Sequence, residues 1–299
     1  MVALEWHEKR KKGWTERTAV STLHRLEMYL FPKLGGRPIG EISAAELLAV
    51  VREIEARGAT FLAGRMMQIA GRIFRYGIAT GKCAFDPSPA LRGALETHVG
   101  KHQPSVKPAE FHALMKAIAG YGVDQRGDES TRLGLQMLAL TFLRTRELVE
   151  APWDEFDLER ATWKIGAERM KMKRPHIVPL SAPAIAILGR LKAICGGSTY
   201  ILPGRNARVP MSNNTLLFAL YRLGYRGLMT GHGFRSVAST MLNEQGFRPD
   251  VIERQLAHED GDAIRAAYNH AEYLNERREM MEWWGQYLAP MLQRAPVAE

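Results

Sequence analysis

"ATWKIGAERMKMKRPHIVPL", residues 161–180, decides what kind of molecule this chain makes. "ATWKI" (161–165) and "HIVPL" (176–180) are short runs rich in β-branched and aromatic residues. Between them lies the basic segment "ERMKMKRP" (168–175) with its breaker Pro175. The pattern predicts two strands joined by a basic turn, set in a chain whose other apolar spacings are helical. Lys171 and Lys173 project from that turn. Two residues apart, they would point to the same side of a strand.

Upstream, "STRLGLQMLALTFL" (130–143) predicts a buried helix, and Pro108 with Glu110 suits a helix start just after Lys107. The breakers in residues 86–108 divide an all-helical region, 1–98, from a mixed region, 107–299, through a linker at 99–106. His98 and His102 in this stretch lack a third ligand, so a hinge is expected there and no metal site. In the first region one helix is expected from about Thr15 to Leu34, with Val20, Leu23, Leu26 and Leu30 as its apolar stripe. A second opens at Ser43, which forms a capping box with Glu46, and Gly58 closes it. The third, "TFLAGRMMQIAGRIFRYGIATG" (60–81), turns Leu62, Met66, Ile69 and Ile73 inward. Arg65, Gln68, Arg72 and Arg75 form a separate basic ridge on it. Such a ridge is most often a solvated face, and a groove-binding helix has the same pattern. The apolar segment "EWWGQYLAPML" (282–292) packs either on its own domain or on a neighbouring copy.

With 299 residues, 46% of them hydrophobic and 24% charged, the composition is that of a soluble protein with room for two domains. No apolar run is long enough to span a membrane, and no export signal opens the chain. The two cysteines, Cys83 and Cys195, form no metal spacing, and a reducing cytoplasm is the expected location. The 41 Lys+Arg against 32 Asp+Glu leave a net +9, which points to a polyanionic partner. Phosphate-binding glycine loops, dinucleotide fingerprints and zinc spacings are missing, so neither cofactor nor metal is expected.

What remains for chemistry is a scattered set of Arg, Lys, His and Tyr. "TFLRTREL" places Arg144 and Glu147 three apart, and "GHGFRS" does the same for His232 and Arg235 at a helix start. His258 in "QLAH" ends one helix, and Asp262 caps the next, expected over 263–278 with Tyr268 on its apolar face. One at a time, each has an ordinary explanation: a surface ion pair, a polar cap, a solvated lysine, a core tyrosine.

Taken in order, these segments resemble the boxes of the tyrosine recombinases. "TFLRTREL" is similar to their first arginine box and "MKMKRPHIVPLS" to their β-hairpin lysine segment. "HGFR" is similar to their H-x-x-R box, and "QLAH" and "AAYNHAEYLNERR" to the second histidine and the nucleophilic tyrosine. The wording of "RMKMKRPHIVPLS" and "AAYNHAEYL" is most similar to integrases of prophages and genomic islands, and the likeness extends over residues 1–98 to the helical core-binding domain. The resemblance implies a mainly α fold with a small β-hairpin, in which an all-helical core-binding domain is joined to a mixed α+β catalytic domain. It assigns Arg144 and Arg235 to the scissile phosphate, Lys171 to the hairpin lysine, His232 and His258 to the histidine pair, Tyr268 to the nucleophile and Glu147 to the acidic partner of the first box. Arg65, Arg72, Arg75 and Lys173 become expected DNA contacts.

The implied activity is site-specific recombination through a 3′-phosphotyrosyl intermediate, which integrates or excises a mobile element without cofactor or metal. The implied partners are double-stranded DNA, four protomers on two synapsed sites and accessory DNA-bending proteins, at the nucleoid and away from membranes. Such integrases usually carry a further small DNA-binding domain ahead of the core-binding one. Here the chain starts at "MVALEWHEKRKKGW", and that arm-binding domain is expected to be absent. Two other readings share the resemblance: a non-catalytic DNA-binding relic, and a type IB topoisomerase-like enzyme that relaxes DNA.

Overall fold

The computed structural model describes residues 2–100, 103–122, 127–171, 173–258 and 272–293. The chain divides into two units, residues 1–101 and 102–299. The first is helical: α1 Val2–Lys11, α2 Glu16–Arg25, a π-helical turn Leu26–Leu30, α3 Phe31–Leu34, α4 Ala44–Glu55 and α5 Thr60–Ala79. Thr15 caps α2 by accepting from the Thr18 backbone N–H at 3.3 Å. Leu26 and Leu30 are buried, but Val20 is 63% exposed and does not belong to the stripe. At 100° per residue it lies about 90° round the helix from the mean direction of Leu23, Leu26 and Leu30, too far to share their face.

The capping box at α4 is present. Ser43 Oγ accepts from the Glu46 N–H at 3.3 Å, and Glu46 Oε2 accepts from the Ser43 N–H at 2.9 Å. The Ser43 N–H and hydroxyl, both donating to Glu46 Oε2, and the Arg37 guanidinium beside it hold the Glu46 carboxyl down at about 2. Gly58, at φ 77°, turns the chain out of this helix with a conformation that costs glycine nothing. On α5, Met66, Ile69 and Ile73 are buried against Leu47, Val51 and Ile54 of α4, as the spacing requires, with Leu62 only partly covered.

The second unit begins with α6 Pro108–Gly120, α7 Glu129–Thr141 and α8 Thr145–Val149. A three-stranded antiparallel sheet follows, in the order β1 Phe156–Asp157, β2 Thr162–Ile165, β3 His176–Pro179. Helices α9 Ala182–Cys195, α10 Asn213–Arg222, α11 Gly233–Glu244, α12 Pro249–Gln255 and α13 Leu274–Leu292 complete it. Trp163 pairs with Val178 and Ile165 with His176, so the β2–β3 register buries all four on one side while Lys164 faces out. Strand β1 was not expected; at two residues it is too short to show a period.

The turn between β2 and β3 departs from expectation at Lys173, whose φ of 52° is left-handed. Lys171 and Lys173 therefore do not share one face of a strand. The helix expected over 263–278 is also interrupted. Tyr273 has φ 45°, with the Arg248 guanidinium 5.1 Å from its ring, and α13 starts only at Leu274. The apolar end of α13 packs on its own unit. Trp284 is fully buried, stacked on Phe111 at 5.9 Å and edge-on to Phe142 at 6.2 Å, with its indole N–H on the Ala139 carbonyl at 2.9 Å. Burial of a ring of this size contributes about 3 kcal/mol. Among the described residues, no helix is long and apolar enough to cross a membrane.

Candidate active site

The first arginine box is a helix-capping device. Helix α7 ends at Phe142, whose N–H still reaches the Leu138 carbonyl and whose left-handed φ of 39° then turns the chain sharply. Arg144 then stands at the N-cap of α8, and Glu147, three residues on, reaches back. It accepts from the Arg144 backbone N–H at 2.9 Å and from the guanidinium at 2.8 Å. Glu147 is buried, while the Arg144 side chain stays 23% exposed. This pair lies inside the fold rather than on its surface, and it aims one arginine from a fixed backbone.

Arg235 sits in the first turn of α11 and is 2% exposed. Its Nη1 donates to the Phe142 carbonyl at 2.8 Å, and its Nη2 donates to the Leu256 carbonyl at 2.6 Å and meets His258 Nε2 at 2.9 Å. Its Nε, also buried, has no partner among the described residues. Burial, and then the positive charge of Arg144, lower its pKa to about 10, with Glu147 and Glu253 pulling the other way. That still leaves it ~99.9% charged at neutral pH.

His258 is placed by the way α12 ends. The Ala257 N–H bonds the Arg254 carbonyl, the His258 N–H bonds the Glu253 carbonyl, and Ala257 takes a left-handed φ of 49°. These are the two bonds of a Schellman turn. The ring's Nδ1 lies 2.7 Å from Glu253 Oε2. Guanidinium only donates, so Nε2 accepts from Arg235, and Nδ1 carries the proton given to Glu253. The Glu253 carboxyl is held below its ordinary range, first by this hydrogen bond.

His232, at the N-cap of α11, is open to solvent. Its pKa is lowered, by partial desolvation first and then by the electrostatic influence of Arg235, His258, Arg144 and Lys171. Arg235 shares a helix start with His232, while Arg144, Lys171 and His258 bear on it from three other segments. Lys171 is exposed in the β2–β3 turn. Tyr268 and Asp262 lie outside the described residues, as does His102.

A second buried network ties β3, α12 and α13 together. Arg277, 0% exposed, donates from Nε and Nη2 to Gln255 Oε1 at 3.0 and 2.7 Å and also donates to the Ile177 carbonyl. His176 Nε2 lies 3.1 Å from the Gln255 carbonyl, and burial keeps that imidazole neutral. Glu253, Gln255 and Arg277 escaped sequence reasoning. Glu253 precedes His258 by a spacing that only a Schellman turn brings together, and Arg277 sits in a run of exposed charges.

In the first unit the expected ridge is mostly surface. Arg65 donates to Gln68 at 3.4 Å, Arg75 pairs with Asp86 at 2.5 Å, and Arg72 is exposed without a hydrogen-bond partner among the described residues. His98 Nδ1 lies 3.2 Å from Thr60 Oγ1. Among the described residues, no three His, Cys, Asp or Glu side chains come together as a metal site. The cluster in the second unit is instead a set of hydrogen-bond donors converging from different elements, which suits an anion with several oxygens.

The chain matches two family models, the phage integrase central domain over residues 1–94 and the phage integrase family over residues 105–275. It is 40% identical to the prophage integrase IntA of Escherichia coli (strain K12), covering 95% of this chain and 68% of that protein. It is 38% identical to the integrase of Enterobacteria phage P4, covering 96% and 68%. Among solved structures, a lambda integrase (75–356) dimer bound to a core site has a similar fold at TM-score 0.67 and 19% identity, over 90% of this chain and 95% of that one. A lambda integrase tetramer bound to a Holliday junction aligns at TM-score 0.70 and 19% identity, over 88% and 77%. The chain belongs to the phage integrase family, and it is a tyrosine-type site-specific recombinase.

Proposed function

We propose that this chain cuts and rejoins double-stranded DNA at the ends of a mobile element through a 3′-phosphotyrosyl bond, and that Tyr268 is the nucleophile. Attack carries a phosphate of charge −1 towards a five-coordinate state of about −2, and the cluster supplies the cations to hold it. Arg144 and Arg235 grip the non-bridging oxygens with paired donors. His258, given its tautomer by Glu253, completes the grip once the phosphate replaces Arg235 at its Nε2. That step requires the imidazole to turn or take up a proton.

Tyrosine is only ~0.1% ionised at neutral pH, so its proton needs an acceptor. His232 suits this role because its pKa is lowered and its neutral form prevails. The departing 5′-oxygen is close to hydroxide in basicity, and Lys171 is the acid that protonates it. The phosphotyrosyl ester keeps the bond energy, so a 5′-hydroxyl reverses the attack without ATP. The observation that carries this reading is the buried Arg235, held by the Phe142 carbonyl two residues before Arg144 and lying 2.9 Å from His258 Nε2. We also assign Arg65, Arg72, Arg75 and Lys173 to the DNA backbone, residues 1–98 to core-site binding, and assembly to four protomers on two duplexes.

The test begins by trapping covalent adducts from a random pool of nicked duplexes, which identifies the core site. That site is then challenged with the unsubstituted protein and with Tyr268→Phe on a denaturing gel. The expected result is an adduct that disappears in Tyr268→Phe. Binding without any adduct would favour a catalytically inert DNA-binding protein, and an adduct that persists in Tyr268→Phe would name a different nucleophile.

A further inference from the structure

The turn that carries Lys171 has few attachments. Its backbone bonds are local: Arg169 N–H to the Gly166 carbonyl at 3.2 Å, Met170 N–H to Ala167 at 3.3 Å and Lys173 N–H to Met170 at 3.1 Å. Among the described residues, its only hydrogen bonds to the rest of the fold come from Arg169. That guanidinium donates from Nη1 to Glu155 Oε2 and from Nη2 to the Glu147 carbonyl at 2.5 Å. Glu155 is itself fixed, since its Oε2 also accepts the Trp163 indole N–H at 2.8 Å. Both members of the Arg169–Glu155 pair are largely buried, with side chains 16% and 12% exposed.

The consequence is a short mechanical path. Glu147 holds Arg144 with its carboxylate and Arg169 with its backbone carbonyl. Lys171 stands two residues beyond Arg169, and the intervening Met170 is buried. The lysine and the first arginine therefore hang from one residue of α8. We propose that Arg169 is a positioning residue: by tying the β2–β3 turn to Glu155 and to the Glu147 carbonyl, it sets the Lys171 ammonium against the departing oxygen in register with Arg144. The inference rests on Lys171 being the general acid. In that step the Tyr268 Oη–P bond forms as the P–O5′ bond breaks, the electron pair stays on O5′, and a proton passes to it from Lys171 Nζ. A positioned acid contributes about 10²–10⁴-fold, and a displacement near 1 Å forfeits much of that.

The experiment uses the full chain and two matched nicked duplexes at the core site, one ordinary and one with sulfur in place of the bridging 5′-oxygen. A thiol leaving group, with a pKa of about 8.5, departs without a proton. Arg169→Ala should slow adduct formation about 30-fold or more on the oxygen duplex and less than about 3-fold on the sulfur duplex, the pattern also expected of Lys171→Ala. Equal slowing on both duplexes would overturn the inference and leave Arg169 as a support of the fold or of Arg144. No slowing on either would overturn it as well. The Lys171→Ala arm separates the two levels: if it is not rescued by sulfur, Lys171 is not the acid and the inference falls with that reading. Should Arg169→Ala not fold, Glu155→Gln keeps an acceptor for Trp163 and removes the ion pair, and the same sulfur-selective rescue is expected at smaller size.

Discussion

The basic ridge of α5 and the cationic cluster of the second unit look alike as strings of letters, with arginines three or four residues from polar neighbours. Their surroundings differ. Arg72 stands in solvent and Arg75 is 57% exposed beside Asp86, where a pair contributes about 0–1 kcal/mol. Arg235 is 2% exposed, bonded to two backbone carbonyls, with its pKa lowered to about 10. Removing a cation from water costs several kcal/mol, and backbone carbonyls return only part of it. A bound phosphate would return more. Charge density marks where DNA can lie; desolvated charge with an unused donor marks where a phosphate is held.

The sharpest way to break that contrast is at Arg235. Arg235→Ala should lower covalent adduct formation at saturating DNA by about 10³-fold or more, since each ~1.4 kcal/mol of lost transition-state binding is tenfold. A loss under tenfold, measured by single-turnover cleavage, would remove the distinction. Arg277 asks whether burial alone is enough. It is as buried as Arg235, with a pKa of about 9 set first by desolvation, but its donors are taken up by Gln255, Ile177 and the Glu272 carbonyl. Arg277→Met should cost about 3 kcal/mol in urea unfolding and leave cleavage by the folded fraction within a few-fold. If the variant stays stable and loses cleavage, Arg277 acts on the site directly.

A smaller effect concerns acid. His232 has a lowered pKa, so it is neutral at pH 7 and gains its proton only below the ordinary 6.5. Cleavage should therefore hold as pH falls to 6.5 and then drop up to tenfold per unit below the shifted pKa, with the limb changed in His232→Gln. A midpoint above 6.5 would count against His232 as the base. The smallest effect belongs to the ridge. Arg72→Ala should weaken binding of core-site duplex a few-fold and reduce the salt slope by about 0.9, with no change in cleavage at saturation. An unchanged salt slope would take Arg72 off the DNA.

Much of this was readable beforehand, for reasons that can be named. The capping box at Ser43 and Glu46 and the helix start at Pro108 are local, so the residues involved are neighbours in sequence. The β2–β3 hairpin was readable because its strands are short runs rich in β-branched and aromatic residues on either side of a basic turn that ends at Pro175. Val20 misled because a three-residue step drifts round a helix, and the break at Tyr273 was hidden because a left-handed residue without glycine has no compositional mark.

By itself, then, the sequence determined the two-part division, the helices with a hairpin between them, and the candidate residues Arg144, Lys171, His232, Arg235 and His258. Their resemblance to known boxes supplied the roles expected of them. Only the tertiary structure decided which partners make them usable: Glu253 setting the tautomer of His258, the Phe142 and Leu256 carbonyls holding Arg235, and Arg169 linking the lysine turn to Glu147. Those contacts join residues that are distant along the chain or related through a turn, and several end on backbone carbonyls. Every residue has such a carbonyl, so no letter records which one is used.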